Sequence, residues 1–590
     1  MPLNLGLLVW LVSSQLATAQ LSVRNNAAIF IKDEIVFVED DINLEETAST
    51  IYLRDEAQII QGTGTTGNSG EGELSVYQDG NVDAYEYNFW CSPTGNHDDT
   101  LVNNPFGVTL LNDINTVINS TPADVTPQPN RNGSATDLKI DPYWIWKYIG
   151  ETDYTGWVHV GNATTIEPGQ GFTMKGTQGS GSNQNYDFRG KPNNGHIEVS
   201  VTNGAYSLVG NPYPSAMDAH AYIWDTNNKT SITGTLYYWE QNPNVNSHNL
   251  NAYDGGYTTY LITEDGTTET ITSATFTTFN NDGSENGSTG TTAKLIKPGR
   301  HIPIGQGFMV QGASGIPSNS TVNAENSHRI YEKENMTTSV FFKSANSKNT
   351  EPVVNSIFTT VNSEYKRFRL NVDFNNTYTR QLVETFNNNA TEGFDRGLES
   401  RLHERDILSA DAYFPIGDLS YLAEALVYDE DLKIPLTIEV NNDMPVRIRI
   451  ADVQNFDTDL PIFIHDKTTN LYVNLKSQSF NVNLDAGKYT DRFEVTFKAA
   501  TLSTELLDVN TINAFQNNKT STLTLTNPSL LNIKSILVYD VTGKQVLTDK
   551  PSSTKLSHSI STKQLSTGVY ILNAVLDNNI VFNKKIMITE

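Results

Sequence analysis

The sequence predicts an all-β protein made of several β-sandwich-like modules in tandem, ending in a small C-terminal β-domain. Asn, Thr, Ser and Gly are abundant beside Tyr and Phe, a composition typical of short strands joined by polar turns. Apolar and polar residues also alternate over short stretches, as they do in half-buried strands. At 590 residues the chain exceeds one ordinary hydrophobic core, so about three or four domains are expected.

Charge and cysteine content exclude several classes of protein. The net charge is -27, whereas a protein that follows phosphate groups needs clustered Lys and Arg, so we expect no nucleic-acid partner. Anionic lipid is disfavoured for the same reason. Cys91 is the one cysteine, which rules out an intramolecular disulfide. Stability must therefore come from apolar burial.

Residues 1–19 are expected to be a signal peptide. An apolar run from Leu3 to Val12 is followed by Ala17, Thr18 and Ala19, the small-residue pattern that precedes a cleavage site. The mature chain would then begin at Gln20. No other stretch approaches the roughly 18 apolar residues that a membrane-spanning helix requires.

The C-terminal segment differs in charge from the rest of the chain. Residues 513–590 contain eight Lys and no Arg against three Asp and one Glu, which marks a domain boundary. Strands are predicted at Thr522–Thr526, Ile533–Val541 and Gly568–Val575. A last strand, Ile580–Ile588, is expected to be broken at Asn583–Lys585. Five to seven strands in this length predict a small β-sandwich.

Three motifs in this segment occur in a characteristic order: a D-x-x-G-K turn, an L-x-x-G-x-Y-x-L step and a closing K-K-hydrophobic strand. Their residues are Asp540, Gly543, Lys544, Gly568, Tyr570, Lys584 and Lys585. Over residues 508–590 the segment resembles the type A C-terminal sorting domain of the type IX secretion system of Bacteroidota. The resemblance implies an immunoglobulin-like domain that is recognised by the outer-membrane translocon and removed by its sortase. It also implies passage through the periplasm, and a passenger that is secreted or joined to a cell-surface glycolipid.

The passenger contains a degenerate internal repeat. Tyr87–Pro93 corresponds to Tyr206–Pro212, and the Gly-Gln-Gly-Phe turn at Gly169–Phe172 corresponds to Gly305–Phe308. We therefore predict two related β-modules at residues 20–195 and 196–335, followed by a β-sandwich at 336–500. The order of these motifs resembles large, uncharacterised surface proteins that carry type IX tails.

Local signatures of catalysis or metal binding are weak. His403 and Glu404 begin like a zinc-protease motif, but Ile407 stands where its second His is required. No G-x-S-x-G elbow occurs. No catalytic, cofactor-binding or metal-binding residue is therefore assigned. A pair of carboxylates for glycoside hydrolysis leaves no local pattern, because its spacing exists only in the fold.

Aromatic residues supply the candidate ligand contacts. If Tyr143–Tyr148 is a strand, alternation places Trp144, Trp146 and Tyr148 on one face. Exposed, these rings would stack on sugar rings or on an apolar partner; buried, they would be module core.

We predict that the passenger is a non-catalytic adhesion or matrix-binding protein with no cofactor, for which extracellular polysaccharide is a candidate partner. A polysaccharide-active enzyme or a carbohydrate-binding accessory protein is the alternative.

Overall fold

The computed structural model is half strand and 6% helix, which confirms the predicted all-β class. The structure describes residues 20–63, 67–97, 102–180, 183–242, 244–278, 297–335, 337–342, 361–499, 512–528, 530–551, 554–577 and 580–589. The predicted signal peptide lies outside these residues. Within the described ranges, no helix has the length and hydrophobicity needed to cross a membrane.

The chain begins with parallel strands stacked in a coil. These strands are β1 (Leu21–Val23), β2 (Ala28–Lys32), β3 (Ile35–Val38), β4 (Ile42–Leu44), β5 (Thr50–Arg54), β6 (Gln58–Gln61) and β7 (Glu73–Asn81). β1 pairs with β4, β2 with β5 and β3 with β6, all in parallel, and β5 then pairs with β7. Each turn of the coil thus contributes three strands, with Ile42, Ile51 and Ile59 buried inside. The sequence analysis did not anticipate this coil.

The remainder of the first predicted module adds strands that pair mainly antiparallel, and some of them extend the parallel strands of the coil into a larger sheet. Its strands are β8 (Tyr87–Cys91), β9 (Thr94–Gly95), β10 (Leu111–Ile114), β11 (Ser120–Pro122), β12 (Gly133–Ser134), β13 (Trp146–Lys147), β14 (Ile149–Glu151), β15 (Val158–His159), β16 (Gly171–Lys175), β17 (Thr177–Gln178) and β18 (Asn183–Pro192). One sheet has the order β11-β10-β18-β7-β5-β2, and a second has the order β15-β13-β16-β8. Trp90 is completely buried between them and contacts Tyr186 and Phe188.

The second predicted module adds ten strands and two short helices. They are β19 (Ile197–Ser200), β20 (Tyr206–Gly210), β21 (Ala216–Asp218), α1 (Ala219–Ile223), α2 (Asn228–Ser231), β22 (Ile232–Gln241), β23 (Gly255–Ile262), β24 (Glu269–Thr272), β25 (His301–Ile302), β26 (Gly307–Gly312), β27 (Thr321–Ala324) and β28 (Arg329–Ile330). Its main sheet has the order β14-β20-β26-β22-β23-β24. Because β14 comes from the first module, the two modules share a sheet.

Short 3-10 helices connect several strands. They are Val108–Leu110, Pro129–Arg131, Pro142–Trp144, Tyr154–Gly156, Leu250–Ala252, Asn326–His328 and Glu404–Asp406.

The two Gly-Gln-Gly-Phe turns start strands with equivalent pairing. β16 pairs with β8 so that Phe172 lies opposite Trp90. β26 pairs with β20 so that Phe308 lies opposite Val209. Trp90 and Val209 occupy the same position in the two aligned segments, so the registers agree residue by residue.

Each turn also closes against a strand of the other module. Isolated bridges join Trp90 to Gln306 and Val209 to Gln170. A backbone hydrogen bond accompanies each bridge: Cys91 N donates to Gly305 O at 2.8 Å, and Gly210 N donates to Gly169 O at 3.2 Å. The exchange is reciprocal, and it locks the two modules into one body.

The third region is a large, mostly antiparallel sheet that folds back on itself. Its strands are β29 (Lys366–Phe374), β30 (Tyr378–Phe386), β31 (Ser400–Arg401), β32 (Asp411–Ile416), β33 (Leu419–Leu426), β34 (Lys433–Val440), β35 (Met444–Gln454), β36 (Phe463–Asp466), β37 (Leu471–Asn474), β38 (Phe480–Leu484) and β39 (Gly487–Thr496). Their order is β37-β36-β39-β34-β32-β33-β30-β29-β35-β38, with β31 on β33. The alternating residues Phe368, Leu370 and Val372 are completely buried.

Buried arginines attach the third region to the second module. Arg367 Nη1 donates to Glu269 O at 3.0 Å, and Arg369 Nη1 donates to Ile271 O at 2.6 Å. Arg396 Nη2 donates to a carbonyl in α1 at 2.6 Å. Because a buried polar group that loses its partner is costly, these bonds fix how the two parts meet.

The C-terminal domain is a seven-stranded sandwich. Its strands are β40 (Asn513–Asn517), β41 (Thr522–Thr526), β42 (Ile533–Asp540), β43 (Gln545–Asp549), β44 (Ser557–Ser561), β45 (Gly568–Leu576) and β46 (Val581–Ile588). They form sheets of order β40-β41-β44 and β43-β42-β45-β46. The predicted break in the last strand is wrong. β46 runs unbroken because it lies at a sheet edge, where Lys584 and Lys585 are exposed to solvent.

Three buried carboxyl groups lie together in the third region. Glu384 and Glu424 occupy paired positions on the parallel strands β30 and β33, and the charge of Glu399 acts on Glu384. Burial, reinforced by Glu424, raises the pKa of Glu384 well above its usual range. Burial raises the pKa of Glu424 to about 8 and that of Glu399 to about 9. All three are therefore held protonated at neutral pH.

We predict that the free energy of unfolding falls as the pH rises from about 5 to about 9. In this interval the unfolded carboxyl groups have lost protons that the folded protein still binds, so rising pH favours unfolding. The Glu384→Gln variant should flatten this dependence in urea unfolding followed across the pH range. Glu392→Gln, at an exposed position of the same region, should leave the slope unchanged. An equally steep slope in Glu384→Gln would contradict this account.

Substitution of Gln306 tests how much the interlocked turns contribute to the free energy of unfolding. The Gln306 side chain is 1% exposed, donates to Gly307 O at 2.7 Å and accepts from Phe342 N at 2.5 Å. The Gln306→Leu variant should lose about 1–3 kcal/mol of unfolding free energy, because buried backbone groups lose their partners. Gln170→Leu, at the corresponding but half-buried position, is the matched control and should lose less. Equal losses measured by urea unfolding would argue against this role.

Candidate functional site

A cavity of about 590 Å³ opens where the two passenger modules and the third region meet. Its walls are mostly aromatic. The Trp, Tyr and Phe residues that line it are Tyr87, Phe89, Tyr143, Trp144, Trp146, Tyr148, Tyr154, Trp157, Trp239, Tyr253 and Tyr257. Two histidines and a small number of polar residues complete the lining. This is the composition of a ligand pocket: apolar rings with few polar groups.

All three predicted ligand-stacking residues line this cavity, but they do not share a strand. Pro142–Trp144 is a 3-10 turn because Pro142 presets its first residue and Asp141 Oδ1 accepts from Tyr143 N at 2.9 Å. Of the strand predicted over Tyr143–Tyr148, only Trp146–Lys147 is a strand in the structure. Trp144 and Tyr148 are 6% and 5% exposed, and Trp146 is half-buried. Trp146 thus offers the most accessible ring of the three.

The rim is formed by the more exposed aromatic residues of the lining. Tyr143 and Tyr154 are 40% and 38% exposed. Trp157 is half-buried, with its ring centroid 5.0 Å from that of Tyr148 and 6.2 Å from that of Phe89. The 3-10 turn Tyr154–Gly156 contains Tyr154 and has Trp157 as its C-cap. Nothing in the spacing of the sequence pointed to Trp157.

The second module supplies the opposite wall. The Trp239 ring lies parallel to that of Phe89, with 6.2 Å between centroids. Trp239 Nε1 is buried, and among the described residues it has no hydrogen-bond partner. Tyr237, on the same strand as Trp239, is completely buried and does not line the cavity. The interlocked turns bring Phe89 and Trp239 together, since β8 lies against β26.

The third region contributes His403 and Asp406. The His403 ring lies between those of Tyr206 and Tyr257, at centroid distances of 4.1 and 4.4 Å. Asp406 Oδ2 accepts from Tyr257 N at 2.7 Å. His403 therefore packs against aromatic rings. It belongs to the segment whose sequence begins like a zinc-protease motif.

We next consider the groups that could bind a metal ion or supply two carboxyl groups for glycoside hydrolysis. Over the described part of the chain, no group of three or more His, Cys, Asp or Glu residues is placed to hold a metal ion. Asp406 is the one carboxylate among the described residues that line the cavity. Glycoside hydrolysis by the usual route requires two carboxyl groups that flank the bond to be cleaved.

A buried lysine lies against the cavity wall. Lys175, at the end of β16, is 4% exposed. Its Nζ lies 3.8 Å from the centroid of the Trp144 ring and 3.0 Å from His248 Nδ1, and it also donates to Tyr253 Oη. Burial lowers the pKa of Lys175 to about 6. Burial and the nearby lysine charge lower the pKa of His248 to about 4.

The sorting motif forms a structured hairpin turn at the far end of the chain. Asp540 Oδ1 accepts from Thr542 N at 2.9 Å and from Lys544 N at 3.1 Å, and Gly543 has φ of +82°. This Asx turn explains why the motif needs Asp and Gly at these positions. Tyr570 is buried, and its Oη donates to Ser566 O at 2.9 Å. Gly568 begins the strand that carries Tyr570.

Two family models match separate parts of the chain. Residues 10–497 match the family described as Domain of unknown function (DUF8693), and the chain belongs to that family. Residues 513–589 match the secretion system C-terminal sorting domain, which confirms the predicted tail. The protein is therefore exported by the type IX secretion system, interacts with that machinery, and is secreted or displayed on the cell surface.

Solved structures offer only remote likeness. Tp47, the 47-kilodalton lipoprotein of Treponema pallidum, is 9% identical, with 64% of this chain and 92% of that chain covered and a TM-score of 0.17. The BSP domain of a biofilm associated protein is 9% identical, with 87% and 98% covered and a TM-score of 0.12. Scores this low carry no argument about fold or function. No curated protein matches the chain.

Removal of residues 513–590 should retain the passenger in the periplasm, because the translocon would lose the domain that it recognises. Immunoblots of periplasmic, cell-surface and medium fractions would measure this. The full-length chain with Lys229→Met, an exposed substitution in the passenger, is the control and should be exported normally. Appearance of the truncated chain in the medium at normal levels would contradict the role of the tail.

Proposed function

We propose that the passenger is a non-catalytic adhesion or matrix-binding protein that holds a saccharide in the aromatic cavity. The observation that carries the proposal is the lining itself, with eleven Trp, Tyr and Phe rings around about 590 Å³. Aromatic faces offer flat apolar surfaces of the kind on which the C–H faces of sugar rings stack, and a pocket of this volume has room for a small saccharide.

The polar groups of the lining support a saccharide over a purely apolar ligand. Amide and hydroxyl groups can both donate to and accept from the hydroxyl groups of a sugar. At the rim, Asn249 and Thr155 are exposed and present groups of these kinds.

Binding is favoured over catalysis by the arrangement of acids. Asp406 is the one lining carboxylate in the described cavity, and one of its oxygens already accepts from Tyr257 N. A second carboxyl group on the opposite side of a glycosidic bond would be needed for the usual hydrolysis. A polysaccharide-active enzyme is the alternative, for which release of reducing sugar is the test.

We also propose that residues 20–195 and 196–335 are related modules, followed by a third unit at 336–500. The equal strand registers at Phe172 and Phe308 support this relation. In this proposal the cavity lies between two modules and a third domain, a place where ligand sites are common. The surface glycolipid is proposed as an anchor of the processed passenger, and extracellular polysaccharide as its ligand.

Loss of the accessible rings should weaken saccharide binding. Residues 20–590, probed on an array of plant and algal oligosaccharides and then titrated with the strongest ligand, should bind it. Trp146→Ala and Trp157→Ala should each weaken binding about tenfold, because each removes one stacking surface. Phe37→Ala removes a ring that is 59% exposed, on β3 in the N-terminal coil, and should leave affinity unchanged.

Two outcomes would overturn the proposal. One is the absence of binding to any glycan on the array by correctly folded protein. The other is steady release of reducing sugar from a bound polysaccharide, which would make the passenger an enzyme.

A further inference from the structure

A buried amine lies directly behind the wall of the cavity. Lys175 is 4% exposed, and among the described residues it forms no ion pair. Asp83 is the one acid whose charge acts on it. A buried ammonium group is normally paired, because taking an isolated charge out of water is expensive. Without such a pair, Lys175 gives up its proton more readily than a solvated lysine, and a negative charge in the cavity would favour its protonated form.

The hydrogen-bond partners of Lys175 leave it able to carry a proton. Asn132 Nδ2 donates to Gln178 Oε1 at 3.1 Å, which orients the amide of Asn132. Asn132 Oδ1 then accepts from His248 Nε2 at 2.6 Å. His248 Nδ1 is consequently an acceptor, and it receives a hydrogen bond from Lys175 Nζ at 3.0 Å. An ammonium group has three N–H donors, so this arrangement accommodates the charged form.

The surrounding rings also tolerate a positive charge. Lys175 Nζ lies 3.8 Å from the ring centroid of Trp144, 4.7 Å from that of Tyr87 and 4.5 Å from that of Tyr253. Ring faces attract cations. Each of these three residues, like His248, lines the cavity. The amine thus lies one layer of side chains behind the ligand surface, where its charge can act on a bound anion.

We infer that the saccharide bound in this cavity is acidic, a glycan carrying uronic-acid carboxylates, and that Lys175 supplies its buried counter-charge. The inference rests on the proposed function and names its ligand class. Because Lys175 is buried, attraction between its ammonium group and the ligand carboxylate is screened less than attraction between two charges at the surface. The carboxylate of the lining, Asp406, is not among the charges that act on Lys175.

Binding of an acidic saccharide should be coupled to proton uptake by Lys175. With its pKa lowered to about 6 by burial, Lys175 is mostly neutral at pH 7.5 in the free protein. A bound carboxylate favours the charged amine, so binding takes up a proton, and affinity rises as the pH falls towards 6. The titratable or charged groups that face Lys175 are Tyr87, Asp83, His248 and Tyr253, with Asp141 and Arg131 acting on His248.

Tyr87 and His248 should not take up a proton between pH 6 and pH 8. Burial raises the pKa of Tyr87 well above its usual range, so it stays neutral between pH 6 and pH 8. The pKa of His248 is lowered to about 4, so it also stays neutral across this interval. These pKa values exclude Tyr87 and His248 as the source of proton uptake near pH 7, and the Lys175→Met variant tests the lysine itself.

The test compares each uronate oligosaccharide with its own methyl ester. Residues 20–590 are titrated calorimetrically with oligomers of galacturonate, glucuronate, mannuronate and guluronate, in two buffers that differ in ionisation heat. For at least one pair, we expect the acid to bind tenfold or more tightly than the ester. Binding at pH 7.5 should take up close to one proton, and affinity should rise about tenfold between pH 7.5 and pH 6.

Two variants distinguish the contribution of the Lys175 amine to binding from that of the rest of the cavity. Lys175→Met should lose both the preference for the acid and the proton uptake, while it still binds the ester. Lys229→Met, which removes an exposed lysine on α2, should behave like the unmodified protein. Circular dichroism checks folding; if Lys175→Met does not fold, the proton uptake of the unmodified protein decides the question.

The outcomes distinguish the inference from the proposal on which it rests. If esters or other neutral glycans bind as tightly as the acids, with no proton uptake, the cavity is a saccharide site and the inference is wrong. If sulfated glycans bind while uronates do not, the ligand class is wrong. If no glycan binds, the proposed function and the inference both fail.

Discussion

The reciprocal closure of the two Gly-Gln-Gly-Phe turns is the constraint on which the passenger depends. Gly169 and Gly305 have φ of +81° and +79°, a backbone region that residues with a Cβ rarely adopt. A Cβ at Gly307 would lie 2.8 Å from backbone atoms of Trp90. The chains approach this closely because the turn of each module completes a strand edge of the other. The aromatic cavity follows from this contact, since it brings Phe89 next to the second module.

The third region completes the cavity through polar contacts. Arg380 forms a buried ion pair with Asp411, with Nε to Oδ1 at 2.7 Å and exposures of 1% and 2%. Arg380 Nη2 also donates to Asp406 O at 2.5 Å, which fixes the 3-10 turn that carries the cavity carboxylate. Loss of one member of a buried pair leaves an uncompensated charge. The position of Asp406 is therefore set by the core of a different domain from the one that carries most of the rings.

The C-terminal domain could be predicted from local motifs, whereas the cavity could not, because no local motif encodes it. The Asp540 turn is written in five consecutive residues, because an Asx turn and a left-handed Gly are local requirements. The buried faces of β29 and β35 were equally visible, since alternation at a period of two reports burial directly. The cavity instead joins residues as far apart as Tyr87 and Asp406, whose proximity depends on how three sheets pack.

Within the aromatic cavity, three of the rings were predicted from the sequence, but their predicted arrangement was incorrect. Trp144, Trp146 and Tyr148 were placed on one strand face by alternation, but Pro142 and Asp141 start a 3-10 turn that alternation does not detect. Lys175 gave no signal, because a lysine that ends a strand is ordinarily solvated. The coil at residues 20–63 was also missed, since its parallel pairs lie about twenty residues apart and leave no short-range pattern.

The acidic surface and the buried amine act on a ligand at different distances. With a net charge of -27, the protein repels an anionic polysaccharide as a whole. At physiological ionic strength this repulsion decays over about 8 Å, so it slows approach at low salt and matters less as salt increases. Lys175 lies behind the cavity wall, where solvent ions screen it less. Selection of an acidic saccharide would therefore occur at the last step of binding, by the charge placed under Trp144, with the surface charge setting the salt dependence of the association rate.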